Sequence, residues 1–230
     1  MKFTFGLVTS GTSDQSVNLV IDSIERLNIP EYEVLVVGNS SVTRNNTRII
    51  PFDESVRRAW ITRKKNLITE NAKYENVVYS HDYIVYENDW YEGWLNYGDD
   101  YKVAMNRILN ADGSRYRDWV VWPHNNNFVD GIVLRQRGCL IPYEMGHLSK
   151  YMYISGAYWV AKRDAMLEFP LNENLVWGEG EDVEWSHRIR ETYDFSMNKN
   201  SSVKLLKQKD PAFNEPDAMA IEQLEAIGNE

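Results

Sequence analysis

A chain of 230 residues, 43% hydrophobic and 26% charged, can bury a substantial core as one domain, and its formal charge of −9 removes any broad electrostatic reason to bind nucleic acid or an anionic membrane. The lone Cys139 excludes an internal disulfide and a cysteine-rich zinc site, and agrees with a reducing compartment. Met1–Ser10 turns polar too early for a signal-peptide core, and no run approaches ~20 apolar residues, so a cytoplasmic protein without a transmembrane segment is expected.

In chain order, Phe3–Val8 is an apolar run that ends in the turn-rich Thr9-Ser10-Gly11-Thr12-Ser13, the pattern of a strand entering a loop. Thr12 and Gln15 have the spacing of a capping box, and Val17, Val20, Ile21, Ile24 and Leu27 recur at helical spacing until Pro30. Tyr32–Val37 is almost continuously apolar, as a strand covered on both faces should be. Strand, helix and strand make a βαβ unit, which predicts a ligand beyond the strand ends, at Thr9–Gly11 and Gly38–Ser40. Neither loop has a Gly-x-Gly-x-x-Gly or P-loop pattern, which disfavours dinucleotide enzymes and P-loop NTPases.

Arg48–Phe52 reads as a short strand and Ala59–Ala72 as a helix with Ile61, Leu67 and Ile68 on its apolar side. That helix carries Arg63-Lys64-Lys65-Asn66, in which Arg63 and Lys65 are either anion ligands or part of a solvated basic face. Asn76–Ser80 is a strand ending in His81-Asp82-Tyr83, a pair that either binds a cation or satisfies local backbone groups. Asp89–Trp94 opens a short helix, and Tyr101–Leu109 and Trp119–Trp122 read as strands. From about Gly113 to Lys150 the chain is polar and aromatic without a long period, through His124-Asn125-Asn126-Asn127, Arg135, Arg137, Tyr143, Glu144 and His147. His124, Glu144 and His147 match no zinc spacing. Tyr151–Ala161 reads as a strand broken at Gly156-Ala157, small residues that suit either close approach of a ligand or a bulge. A helix follows from about Lys162 to Phe169 and stops at Pro170; Val203–Leu206 is expected as an edge strand before an acidic tail, Asn214–Glu230. Eight Trp and fourteen Tyr supply either core filling or faces for sugar rings.

The most specific stretch is Trp177-Gly178-Glu179-Gly180-Glu181-Asp182-Val183-Glu184, continuing to Arg190. Two glycines loosen the backbone before a carboxylate pair, and a helix is expected from about Glu181 on which Asp182, Trp185 and Ile189 share a face. Asp182 is thereby aimed inward at a helix N-terminus, where negative charge is favoured. The plain alternative is an acid stabilising its own helix, beside an ordinary Glu184–Arg188 pair. The run Trp-Gly-x-Gly-Glu-Asp-x-Glu resembles the Glu-Asp motif of GT-A glycosyltransferases, in which the aspartate takes the proton of the acceptor hydroxyl. The order of elements before it resembles the nucleotide-binding half of family-2, inverting glycosyltransferases, and the likeness runs from about Phe3 to Arg190.

That resemblance implies an α/β fold of GT-A type, a Rossmann-like, mostly parallel central sheet with helices on both faces, over residues 1–200. Residues 1–110 would form the donor half, 111–200 the acceptor half, and 201–230 an edge strand and tail. It implies Asp182 as catalytic base, with Glu181 orienting a substrate. Thr9, Gly38, Asn39, Arg63, Lys65, Asn66, Gly156 and Ala157 are implied at the donor, and Trp177 and Gly178 at the acceptor. Asp82, with His81, stands where the family has Asp-x-Asp and is expected to hold a divalent cation, Mn²⁺ in preference to Mg²⁺ because one ligand is an imidazole. Gly38-Asn39 replaces the acid that family members often carry after the second strand. The expected activity is inverting transfer of a sugar from a nucleotide-diphosphate donor, a UDP-sugar being favoured, to a glycan or other hydroxyl acceptor. Two further readings stay open: a non-catalytic carbohydrate-binding module on the same scaffold, and a sugar nucleotidyltransferase, whose first loop would need more glycine and lysine than Thr9–Thr12 carries.

Overall fold

A computed structural model of the chain describes residues 1–121, 139–146 and 152–210, together with Glu222. Its elements are β1 (Phe3–Val8), α1 (Asp14–Glu25), β2 (Tyr32–Val37), β3 (Thr47–Ile50), α2 (Ile61–Asn71), β4 (Asn76–His81), β5 (Ile84–Tyr86), α3 (Trp90–Tyr97) and β6 (Val103–Leu109). They continue as β7 (Arg115–Tyr116), β8 (Val120–Val121), β9 (Cys139–Leu140), β10 (Met152–Tyr153), β11 (Tyr158–Lys162), α4 (Arg163–Glu168), α5 (Glu181–Ile189) and β12 (Phe195–Leu205).

The βαβ repeats of the first half build a parallel sheet in which β1 lies between β2 and β4, with β3 outside β2. The full order is β3-β2-β1-β4-β11-β6-β12-β5. Antiparallel β11 joins the parallel half to a second parallel pair, β6 and β12, and β5 and β7 add antiparallel pairings. Most paired residues lie in parallel register, as expected for a GT-A-like sheet. Strands β8, β9 and β10 form a separate small antiparallel sheet.

Helices cover both faces. On one, Phe3 and Phe5 place their ring centroids 4.9 and 5.1 Å from Trp90 of α3. On the other, Gly6 lets α2 lie directly on β1, because a Cβ there would fall 2.3 Å from Ile68 Cγ2. Its neighbour in register, Tyr79, stacks on Trp159 at 4.8 Å, Trp159 on Trp185 at 5.5 Å, and Trp185 on Phe195 at 6.5 Å. This buried row of rings ties β4, β11, α5 and β12 together, and truncating one such ring to alanine typically costs about 3–5 kcal/mol. Here the aromatic residues are core.

Some local expectations are corrected. Ser13, not Thr12, caps α1: its hydroxyl accepts from the Ser16 N–H at 3.2 Å, while the Thr12 hydroxyl bonds to that of Ser10. Val203–Leu206 is not an edge strand, since Val203–Leu205 is the end of the 11-residue β12, which runs between β6 and β5. Between Phe195 and Val203 only Met197 is apolar, and a register shift between Asn198 and Ser202 breaks the two-residue alternation that would have marked the strand. The buried Asn198, Ser201 and Ser202 bond instead to Gly93 O, Trp90 O and the Asp89 carboxylate. The run expected at Tyr151–Ala161 divides at Gly156 into β10 and β11, which belong to different sheets. Tyr151 lies outside the described residues, as do Trp122, His124-Asn125-Asn126-Asn127, Arg135, Arg137, His147 and the expected tail apart from Glu222. Among the described residues no helix is long and apolar enough to cross a membrane.

Candidate active site

Strands β1 and β4 end side by side, Val8 opposite His81, and the residues just beyond them are joined by a 2.7 Å hydrogen bond from Thr9 Oγ1 to Asp82 Oδ2. Gly38 follows β2 at φ +141°, and a Cβ there would lie 2.3 Å from the Thr9 carbonyl oxygen, so glycine alone permits this packing. The exposed Asn39 packs in turn against Gly11. A cleft of about 850 Å³ opens above these ends, with Thr9, Ser13, His81 and Asp82 on its floor side. Arg58 lines it from the turn before α2, Ile61 and Lys64 from α2, Trp177 from the loop before α5, and Lys207 and Lys209 from the chain after β12. Thr9 therefore lines the cleft, whereas Gly38 and Asn39 shape the turn that supports it. Trp177, expected at the acceptor, is 66% exposed and lines this same cleft.

Helix α2 sends its basic residues in different directions. Lys64 Nζ donates to Thr9 O at 2.8 Å and pairs with Glu54. Lys65 turns into the protein, 1% exposed, with Nζ 2.8 Å from Gly156 O and 4.4 Å from the Trp159 ring centroid. Burial pushes its ammonium down to about 8, opposed by the negative charges of Glu181 and Asp182. Arg63 and Asn66 are not brought to the cleft. Arg63 pairs with Glu70 and Glu173, and Asn66 holds the backbone of Leu171 with both amide atoms, at 3.0 Å each. Residues 63, 66 and 70 share one helix face, which the segment 171–173 covers.

Gly156 is the junction of the site. Its carbonyl accepts from Lys65 Nζ and, at 3.2 Å, from His81 Nε2, while its N–H donates to Asp182 Oδ2 at 2.8 Å. Because a carbonyl only accepts, His81 carries its proton on Nε2 and leaves Nδ1 as the acceptor. Burial first, then the charges of Lys65 and Lys209, hold its pKa well below the ordinary histidine value, so the ring is neutral. A Cβ at position 156 would lie 2.9 Å from Asp182 Oδ2. The neighbouring Ala157 is buried, and its carbonyl accepts from the His81 N–H at 3.3 Å.

Asp182 sits in the first turn of α5, which starts at Gly180 in a left-handed conformation, φ +76°, after Gly178 at φ +88°. Its second oxygen takes the Val183 N–H at 2.9 Å, so it both satisfies a free N–H of its own first turn and reaches inward. Glu181 is 5% exposed; burial raises its pKa, Asp182 adds to the shift and Lys65 opposes it. Asp182 does not line the cleft itself and is joined to it through Gly156. Tyr116 and Tyr153 stand near it: burial raises both phenols and the charge of Asp182 adds to the effect. Sequence reasoning missed these two tyrosines and Lys207 and Lys209, because no local spacing marks any of them.

The expected Mn²⁺ or Mg²⁺ can be judged from its ligands. One oxygen of Asp82 and one nitrogen of His81 are already bonded, and among the described residues no group of three His, Cys, Asp or Glu side chains converges. Besides the Asp82 carboxylate, the charges that act on His81 are the ammonium groups of Lys65, Lys209 and Lys64. A divalent cation would meet the positive field that disfavours a proton on His81, so the described residues do not fit a metal ion held by the protein alone.

The fold has solved counterparts. Over 99% of its length the chain aligns with GalNAc-T7 crystallised with UDP, GalNAc and Mn²⁺, at TM-score 0.63 and 10% identity. It aligns over 92% with residues 1–349 of S. aureus TarS in complex with UDP-GlcNAc, at TM-score 0.60 and 13% identity, and over 89% with the same fragment in complex with UDP, at 0.58 and 12%. It spans 47%, 60% and 61% of those chains. At such identities the likeness is one of fold, the GT-A fold expected from the sequence. No protein-family profile matches the chain, and no curated protein does.

Proposed function

We propose that the protein is a glycosyltransferase that moves a sugar from a nucleotide-diphosphate donor to an acceptor hydroxyl, with inversion at the anomeric carbon. The observation that carries this is the Gly156 junction. It holds the Asp182 carboxylate by its N–H and two residues of the donor side, Lys65 and His81, by its carbonyl. The structures that share the fold were obtained with UDP, UDP-GlcNAc, or UDP and GalNAc, which favours a UDP-sugar as donor. Glycans and other hydroxyl compounds are the acceptors in this reading, and its setting is the cytoplasm. Residues 1–110 form the donor half and 111–200 the acceptor half, with Lys207 and Lys209 returning to the donor side.

Asp182 accepts the acceptor's hydroxyl proton as that oxygen attacks the anomeric carbon from the face opposite the diphosphate. The new C–O bond forms as the bond to the phosphate oxygen breaks, and the electron pair departs with the nucleoside diphosphate. The Gly156 N–H holds the base in place, while Glu181 offsets the buried charge of Lys65. Gly156 and Ala157 let the donor sugar approach the backbone at the strand break. The Mn²⁺ or Mg²⁺ implied by the resemblance supports no step here, since the ligands present do not fit it. Asp182→Asn should lower turnover by at least ~100-fold while the affinity for nucleoside diphosphate stays within about threefold. Normal turnover in that variant, measured as release of nucleoside diphosphate, sinks the assignment.

A further inference from the structure

The chain carries a formal charge of −9, yet among the described residues its cleft is lined by Arg58, Lys64, Lys207 and Lys209 against two carboxylates, Glu54 and Asp82. Glu54 is taken by Lys64, so Asp82 faces an excess of positive charge. Lys207 and Lys209 are held there by the backbone of the segment that follows β12. The Leu206 N–H donates to Tyr83 O at 2.9 Å and the Lys209 N–H to Asn110 Oδ1 at 3.0 Å. Gln208 Nε2 donates to Asp112 Oδ2 at 2.9 Å, and the Asp112 N–H returns a bond to Gln208 Oε1 at 3.2 Å. Gln208 turns to Asp112, while Lys207 and Lys209 on either side of it both line the cleft.

Both ammonium groups lie over the ring of Tyr83, 5.6 and 3.7 Å from its centroid, and His81 stacks on the same ring at 5.0 Å. A cation over an aromatic face is held in position without being neutralised. Among the described residues neither lysine is within ion-pair distance of a carboxylate. Two oriented cations that share one nearby carboxylate, Asp82, and form no ion pair with it suit an anion that carries more than one charge.

We infer that Lys207 and Lys209 bind the diphosphate of a nucleoside diphosphate and neutralise the charge that departs in the transfer, in place of the divalent cation that a second carboxylate at residues 81–83 would hold. The ligand class rests on the glycosyltransferase reading. Partial burial first, then the charges of Lys207 and Arg117, bring Lys209 down to about 8, as expected where positive charge is gathered ahead of an anion.

The test is calorimetric titration of the full chain with UDP, UMP and inorganic pyrophosphate, in EDTA and again in Mn²⁺. UDP should bind in EDTA within about threefold of its affinity in Mn²⁺. The Lys207→Met/Lys209→Met double variant should lose roughly 10- to 100-fold for UDP and less than about threefold for UMP. Lys209→Arg, which keeps the charge, should restore most of the loss caused by Lys209→Met. UDP binding that requires Mn²⁺, or a double variant that melts like wild type and binds UDP equally well, overturns the inference. So does tighter binding of pyrophosphate alone than of UDP, which would mark a simple anion site. If the wild type binds neither UDP, GDP nor dTDP in either buffer, the glycosyltransferase reading falls as well. Binding that is indifferent to both lysines removes only their role.

Discussion

Replacing Gly156 by alanine isolates the link between the cleft and Asp182. The backbone there is outside the left-handed region, so alanine is tolerated by the chain itself and acts through what its methyl group meets. That methyl would lie 2.9 Å from Asp182 Oδ2 and 3.4 Å from both Cβ and Cγ. Ordinary contact begins at 3.4 Å, so the carboxylate oxygen must retreat by about 0.5 Å. Such a retreat stretches the 2.8 Å bond from the Gly156 N–H to about 3.3 Å, past the usual N–H···O range. Losing a hydrogen bond to a charged group costs about 1.5–3 kcal/mol, which at about 1.4 kcal/mol per tenfold lowers kcat by roughly 10- to 100-fold. The assay is steady-state release of nucleoside diphosphate, alongside its binding affinity, which should hold within about threefold because Gly156 does not line the cleft. Adding Gly156→Ala to Asp182→Asn should cost little beyond Asp182→Asn alone, since both changes act on one carboxylate. A kcat within about twofold of wild type, in a Gly156→Ala variant that melts normally, would refute this account of how the base is held.

Lys65 titrates near 8 in the fold and at 10.5 when free, so both states are protonated below that window and both are neutral above it. Within it the unfolded chain holds the extra proton, and stability rises with pH by about 1.36 kcal/mol per pH unit, on the order of 3 kcal/mol in all. Urea unfolding at pH 7.5 and 10 should show a steeper rise in wild type than in Lys65→Gln, which keeps the share that Lys209 contributes in the same window; equal pH dependence in the two proteins would remove the Lys65 ammonium as a source. Asn66→Ala leaves the Leu171 N–H and carbonyl without their partner and should cost about 1–3 kcal/mol of stability, with the affinity for UDP unchanged. Weaker UDP binding in a fully stable Asn66→Ala protein would return that residue to the donor site.

What the amino-acid sequence determined by itself was the local grammar. The first βαβ unit was legible because Phe3–Val8 and Tyr32–Val37 are continuous apolar runs and the helix between them repeats Val17, Val20, Ile21 and Ile24 at its own period. Asp182 was legible as an inward carboxylate because Trp185 and Ile189, three and seven residues on, are both buried on its face of α5. The tertiary structure decided which groups make the site. Arg63 and Lys65 are near neighbours in sequence, yet packing of 171–173 on one face of α2 claims Arg63, and Trp159 with Gly156 claims Lys65. Tyr116 on β7 and Tyr153 on β10 come together at Asp182, and Lys207 and Lys209 after β12 come to Asp82, only once these strands have taken their places in the two sheets. Helical and strand periods are written within a few residues. The bonds that define the site span 75 positions from His81 to Gly156, 91 from Lys65 to Gly156 and 73 from Thr9 to Asp82, and their pairing exists only in the order and register of the strands.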